Sequence, residues 1–276
     1  MGDHIPTINV NGIDLYYEKK GTGKPMYVLH GGPGLDHRYF GRSLAELEKV
    51  RELYYIDFRG HGKSSKADKL TYTFEIFTND IEALREGLGH KTIDILGHSM
   101  GGFVGLLYSL QFSHNLNSLI LVGTVAKMSG ITGHNTVKLK LKYLYIKNKL
   151  QYRIHKTLDI DAFARDILLI SWPIYVHKNL RQIYADYINS INDLRIFFDM
   201  QKELAGFNVI DKLDRIQTPT LIIFGENDAF LKNGRPLKEI RNSRFSVIPS
   251  AKHLPFLDDE KDFNLVVREF LTGKIQ

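Results

Sequence analysis

Residues 92–111 read TIDILGHSMGGFVGLLYSLQ. The first five are an apolar, β-branched run of buried-strand type, and the segment from Met100 onward has helical character. Between them lies Gly97-His98-Ser99-Met100-Gly101, which fits G-x-S-x-G and is followed by Gly102. A serine at the sharp turn from a buried strand into a helix is the arrangement of a nucleophile elbow. The glycines leave room for that turn, and the strained backbone presents the serine hydroxyl. The N-terminus of the following helix favours negative charge developing beside Ser99. Ser99 is therefore a candidate nucleophile.

Outward from this stretch, apolar runs bounded by turn residues alternate with helical segments, the pattern of an α/β fold with a mainly parallel sheet. TINVNGIDLYYEKKG reads as a hairpin about Asn11-Gly12. MYVLH (26–30), LYYIDF (53–58), TIDILG (92–97) and LNSLILVG (116–123) read as buried parallel strands. Helices are expected at about 40–50, 75–88 and 100–112. After residue 126 the rhythm changes to long, aromatic-rich helical segments without a convincing buried strand. Strands resume with TLIIFG (220–225) and RFSVIP (244–249), and a helix closes the chain around 259–272. The expected organisation is an α/β core of residues 1–126 and 206–276, interrupted by a helical cap of residues 127–205.

Three further features converge on the serine. His30-Gly31-Gly32-Pro33-Gly34 follows MYVLH directly, so backbone N–H groups there can approach a ligand. The N–H groups of Gly32 and Met100 are the expected pair for an oxyanion hole. Asp228 ends Gly225-Glu226-Asn227-Asp228 after the strand TLIIFG, and His253 follows RFSVIP in the next such loop. Sites in open α/β sheets gather at the carboxyl ends of strands. The chain order Ser99, Asp228, His253 is one that elbow-based triads use.

The chain has 276 residues, 43% hydrophobic and 25% charged, which argues against a disordered or low-complexity protein. It has no cysteine, excluding disulfides, thiolate metal sites and a cysteine nucleophile. No H-E-x-x-H or comparable spacing points to a metal. The net charge of +6 resides in residues 127–205, where 13 Lys or Arg face 7 Asp or Glu; the remainder carries 24 of each. That excess is spread through Tyr- and Leu-rich stretches and reads as solvated helix faces, not as a nucleic-acid surface. There is no signal-like N-terminus and no run of membrane-span length, so a cytoplasmic protein is expected.

The chain resembles α/β-hydrolases over essentially its whole length. DFRGHGKS (57–64) is similar to the D-x-R-G-x-G-x-S stretch after the fourth strand of that superfamily, and GHSMGG (97–102) to its commonest elbow. The resemblance implies an eight-stranded, mostly parallel sheet whose second strand is antiparallel, with a cap after strand six. HGGPG (30–34) resembles the proline iminopeptidase group within the superfamily. Members of that group typically have an aromatic residue after the nucleophile, where this chain has Met100, and hold the substrate amine with cap carboxylates, where residues 127–205 are net basic.

The expected chemistry is acyl transfer to water through Ser99, His253 and Asp228, without a cofactor. A small-molecule ester is the first substrate expected; an amide or short peptide, as for an aminopeptidase, is the second. A lactonase, C–C hydrolase or perhydrolase using the same triad, or a ligand receptor on this fold, are further alternatives. An aminopeptidase needs a carboxylate near the pocket, for which Asp193, Asp199 and Glu203 are candidates. Tyr143, Tyr145, Tyr152, Phe163, Trp172, Tyr175, Tyr184 and Tyr187 are expected to roof an apolar pocket. His98 is expected to point elsewhere at the elbow, as a packing residue or one that supports the catalytic groups from behind, and His30 and His61 to brace loops. Asp57, Arg59 and Ser64 are expected to fix the loop after strand four, and Asp258 and Asp259 to start the last helix.

Overall fold

Eight strands pair in the order β1-β2-β4-β3-β5-β6-β7-β8 in a computed structural model that describes residues 6–128, 176, 189–190, 193 and 195–273. They are β1 (Thr7–Val10), β2 (Ile13–Gly21), β3 (Pro25–Leu29), β4 (Glu52–Ile56), β5 (Ile93–His98), β6 (Leu116–Val122), β7 (Thr220–Gly225) and β8 (Ser243–Ile248). β2 runs antiparallel to β1 and β4, and β3 through β8 are mutually parallel. The β1–β2 hairpin turns at Asn11 (φ 46°) and Gly12 (φ 78°), the left-handed pair of a type I′ turn.

The central strands are apolar on both faces because helices cover both. Successive side chains alternate across the sheet. Tyr27, Leu29, Ile95 and Leu119 face α1 (Phe74–Gly87) and α2 (Met100–Gln111), packing with Phe77, Ile81, Phe103 and Val104. Met26, Val28, Leu96 and Ile120 belong to the opposite cluster with Phe256 and Phe263. Full burial of each such aliphatic or aromatic side chain contributes about 1.5–3 kcal/mol. α1 starts under the Thr73 side chain, which accepts from the Ile76 N–H at 3.2 Å, while Glu203 Oε1 accepts from the Phe74 N–H at 2.9 Å.

Four short helices complete the described chain: α3 (Arg195–Asp199), α4 (Gln201–Gly206), α5 (Leu231–Gly234) and α6 (Pro255–Asp258). α7 (Glu260–Thr272) follows them. The helix expected at 40–50 is instead two short turns, His37–Phe40 and Leu47–Lys49. Gly41 between them has φ 54°, Leu47 N–H bonds back three residues to the Leu44 carbonyl at 2.9 Å, and Asn264 Nδ2 donates to the Ser43 carbonyl at 2.7 Å. The carbonyl a continuing helix would use thus accepts from a residue of α7 and not from the Leu47 N–H.

Most of residues 127–205, including the eight aromatics named above, lie outside the described residues. Their flanks run side by side: Met128 N–H donates to the Phe207 carbonyl at 3.0 Å and Val209 N–H to the Ala126 carbonyl at 2.8 Å. The chain thus leaves and re-enters the sheet region at one place. No described helix is long and apolar enough to cross a membrane.

Candidate active site

The turn between β5 and α2 holds Ser99 at φ 50°, ψ −112°, a left-handed conformation that a serine adopts only under constraint. Its backbone is held on both sides. Ser99 N–H donates to the Val122 carbonyl at 2.8 Å, and its carbonyl accepts from the Gly102 N–H at 3.0 Å and the Thr124 hydroxyl at 2.8 Å. A methyl group at Gly97 would lie 2.5 Å from the Gly101 carbonyl oxygen, and one at Gly101 would collide with the Leu29 carbonyl. These contacts give the flanking glycines of the motif their steric reason.

The loops after β3, β5, β6, β7 and β8 meet over this turn, all at strand carboxyl ends. His253, in the loop after β8, directs Nδ1 at Asp228, 3.1 Å from Oδ2 and 3.2 Å from Oδ1. Both are buried. The Asp228 carboxylate also accepts from the Phe230 N–H at 2.8 Å, which fixes its rotation. Phe230 and His98 flank the His253 ring, each with a centroid 4.9 Å away. With Nδ1 on the acid, the Nε2 edge of the imidazole is turned away from Asp228.

Ser99, His253, Gly32 and Met100 line one cavity of about 150 Å³, so the structure gathers the sequence candidates on its wall, with Asp228 immediately behind His253. Gly32 has φ 54°. The remaining wall is largely apolar, including Leu35, Phe103, Val125, Met128, Phe197, Leu204 and Leu254. A cavity of that size accommodates a group of about benzene's dimensions.

The three candidate carboxylates do not line this cavity. Glu203 caps α1 at the Phe74 N–H. Asp193 is paired with Lys66 at 3.0 Å and Arg195 at 2.7 Å, and the hydrogen bond from Arg195 is the largest cause holding its carboxyl well below the usual range. Asp199 faces a separate groove shared with Lys69 and Lys202.

The other motif residues brace loops. His30 Nδ1 lies 2.9 Å from the Gly31 carbonyl and its Nε2 accepts from the Phe58 N–H at 3.2 Å; His61 Nδ1 lies 2.9 Å from the Arg59 carbonyl. Asp57 accepts from the Lys63 N–H at 2.9 Å, Arg59 grips Asp80 with two 2.8 Å bonds, and Ser64 Oγ donates to the Asp57 carbonyl at 2.6 Å. Asp259 caps α7, but Asp258 accepts from the Lys252 N–H at 2.8 Å and so steadies the His253 loop.

Sequence reading overlooked Gly123, Phe230 and Tyr39. Gly123 is the informative omission: it ends an apolar strand next to the strand bearing Ser99, and a β-carbon there would lie 2.9 Å from His253 Nδ1. His98, expected as a packing residue or one supporting the catalytic groups, lies against His253 and contributes to the cavity wall.

The strand order, the elbow and the convergence of loops define an α/β-hydrolase architecture. A model of the alpha/beta hydrolase fold matches residues 24–171, more than half of the chain. The chain belongs to that family. It is 26% identical to a proline iminopeptidase of Thermoplasma volcanium over 97% of this chain and 96% of the relative. It is 28% identical to one of Saccharolobus solfataricus over 94% and 89%. An esterase from Exiguobacterium antarcticum has a similar structure, with TM-score 0.78, 24% identity, and coverage of 99% of this chain and 100% of that one.

Proposed function

We propose that the protein is a serine hydrolase that cleaves carboxylic esters of small to medium acyl groups. The observation that carries this reading is that Ser99 and His253 share one apolar cavity, with Asp228 held against His253 Nδ1. In this account His253 takes the proton from Ser99 as its oxygen attacks the acyl carbonyl, and Asp228 orients the imidazole and stabilises its charged form. The Gly32 and Met100 N–H groups stabilise the tetrahedral oxyanion, each such donor being worth about 10²–10³ in rate. His253 then protonates the leaving alcohol, and water resolves the acyl-enzyme by the reverse proton transfers. The reading uses only protein groups. Residues 127–205 act as a cap over the cavity, a role supported by Met128, Phe197 and Leu204 on its wall.

The ester preference is supported by the apolar wall, by the bonding of Asp193 and Glu203 elsewhere and by the position of Asp199 on a separate groove. A second reading, an aminopeptidase for N-terminal proline, is favoured by HGGPG and by the iminopeptidase relatives. Initial rates on p-nitrophenyl acetate, butyrate and octanoate beside proline p-nitroanilide separate the two. Esterase action predicts turnover of the short esters and negligible anilide cleavage. Dominant anilide cleavage would overturn the ester assignment in favour of the second reading.

A further inference from the structure

We propose that His98, backed by Tyr39, is a positioning residue that holds the His253 loop and the Gly31–Gly32 turn in register around Ser99, an inference that rests on the serine hydrolase reading above.

Three hydrogen bonds run in series through the protein interior. The Gly31 N–H and the Tyr39 hydroxyl oxygen are 2.5 Å apart, that oxygen and His98 Nδ1 are 2.8 Å apart, and His98 Nε2 and the His253 carbonyl oxygen are 3.0 Å apart. Their direction follows from chemistry. A carbonyl can only accept, so His98 Nε2 carries the proton and Nδ1 is the acceptor. The Tyr39 O–H therefore donates to Nδ1, and its oxygen accepts from the Gly31 N–H. One tautomer and one hydroxyl orientation satisfy all three bonds.

Tyr39, His98 and His253 are 1%, 4% and 3% exposed, so these groups are largely shielded from bulk solvent. Burial, with His253 adding to it, holds His98 well below the ordinary imidazole range, so it stays neutral. The approach is close: a methyl group at Gly31 would lie 2.7 Å from His98 Nδ1. The relay thus joins three separate loops. His98 precedes the serine in the elbow, Gly31 precedes the proposed oxyanion donor, and the His253 carbonyl belongs to the proposed base. An apolar side chain at 98 could fill the space but would leave the two flanking loops unlinked.

The test measures kcat and KM on p-nitrophenyl butyrate for Tyr39→Phe, His98→Leu, the double variant, His98→Gln and Ser99→Ala, with folding checked by circular dichroism melts. Tyr39→Phe removes one atom, and Gln keeps an acceptor and a donor at position 98, so neither depends on rebuilding the core. Misplacement of reacting groups by about 1 Å costs about 10² in rate. Tyr39→Phe and His98→Leu should therefore each lower kcat by about 10²-fold at nearly unchanged KM. The double variant should lose no more than the worse single variant, because both break one relay, and His98→Gln should recover most of the loss. Multiplicative losses, a change confined to KM, or wild-type kcat in His98→Leu would overturn the relay while Ser99→Ala remains inactive. Turnover that survives Ser99→Ala would instead overturn the serine hydrolase reading beneath it.

Discussion

Asp228 Oδ2 lies 3.1 Å from His253 Nδ1, and the backbone of residue 123 passes so close over this pair that only a hydrogen fits there. A β-carbon on Gly123 would stand 2.9 Å from the imidazole nitrogen and 3.2 Å from the carboxylate, at a φ of 58°. Gly123→Ala should therefore push the pair apart. The expected result is a fall in kcat of about 10²-fold, with a stability loss of about 1–2 kcal/mol from the left-handed backbone. Ester kinetics and urea denaturation of the same variant measure the two effects separately.

Replacing Asp228 by Asn keeps the shape of the site but offers an amide to the ring. An equivalent change in a serine protease leaves the imidazole in the wrong tautomer and costs about 10⁴ in kcat. The same order of loss is expected here, with a melting curve close to wild type. A loss under ten-fold would remove Asp228 from its proposed role.

Leu204 belongs to α4 and lines the cavity that Ser99 also lines. Leu204→Ala should lengthen the space for an acyl chain. One or two extra methylenes in an apolar pocket are worth about 1–3 kcal/mol of discrimination. The ratio of kcat/KM for octanoate over butyrate should rise about ten-fold, as read from p-nitrophenyl ester kinetics.

His37 lies between two acids, with Nδ1 2.6 Å from Asp57 Oδ1 and Nε2 3.1 Å from Glu18 Oε2. Burial opposes its charge, but the bonds to Asp57 and Glu18 outweigh that and raise its pKa from 6.5 to about 9. A raised value in the fold stabilises fully below about pH 6.5, and the contribution is lost as pH rises through about 9. Its slope is about 1.4 kcal/mol per pH unit inside that window. Urea unfolding between pH 6.5 and 9 should show this fall, and His37→Gln should flatten it.

His30 and His61 behave in the opposite sense. Burial pushes His30 down from 6.5 to about 4, and burial with the neighbouring His30 pushes His61 down to about 3. Below about pH 6.5 the unfolded chain takes up protons that these folded rings refuse. Stability should fall as pH drops from about 6.5 and level off below the folded values. His61→Asn should reduce the acid loss measured by thermal melts at pH 4 and pH 7.

Much of this architecture could be read locally. MYVLH, TIDIL and TLIIFG are apolar runs because their strands are covered on both faces, and Ser99, Asp228 and His253 each lie in the loop or turn that follows a strand, among glycine or turn residues. What stayed hidden depends on partners distant in sequence. The stretch from 40 to 50 has helical composition, yet it forms only short turns, with Gly41 at φ 54° and the Ser43 carbonyl accepting from Asn264, far along the chain. For His98 the sequence left packing and a supporting role both open, because its partners, the Tyr39 hydroxyl and the His253 carbonyl, are distant in sequence. Asp193, Asp199 and Glu203 were amine-site candidates by type, and only the fold shows Asp193 and Glu203 bonded elsewhere and Asp199 lining a different groove.

The central claim is that Ser99 is the nucleophile, and covalent capture tests it most directly. Wild type and the His253→Ala variant would be treated with a fluorophosphonate, whose phosphorus a serine attacks with loss of fluoride. Intact-mass and peptide mass spectrometry would then locate the label. The account predicts one adduct per chain, on the peptide carrying Ser99, together with loss of ester turnover. It also predicts labelling slowed by orders of magnitude without His253. A label on another residue, or ester turnover that persists after Ser99 is fully modified, would contradict it.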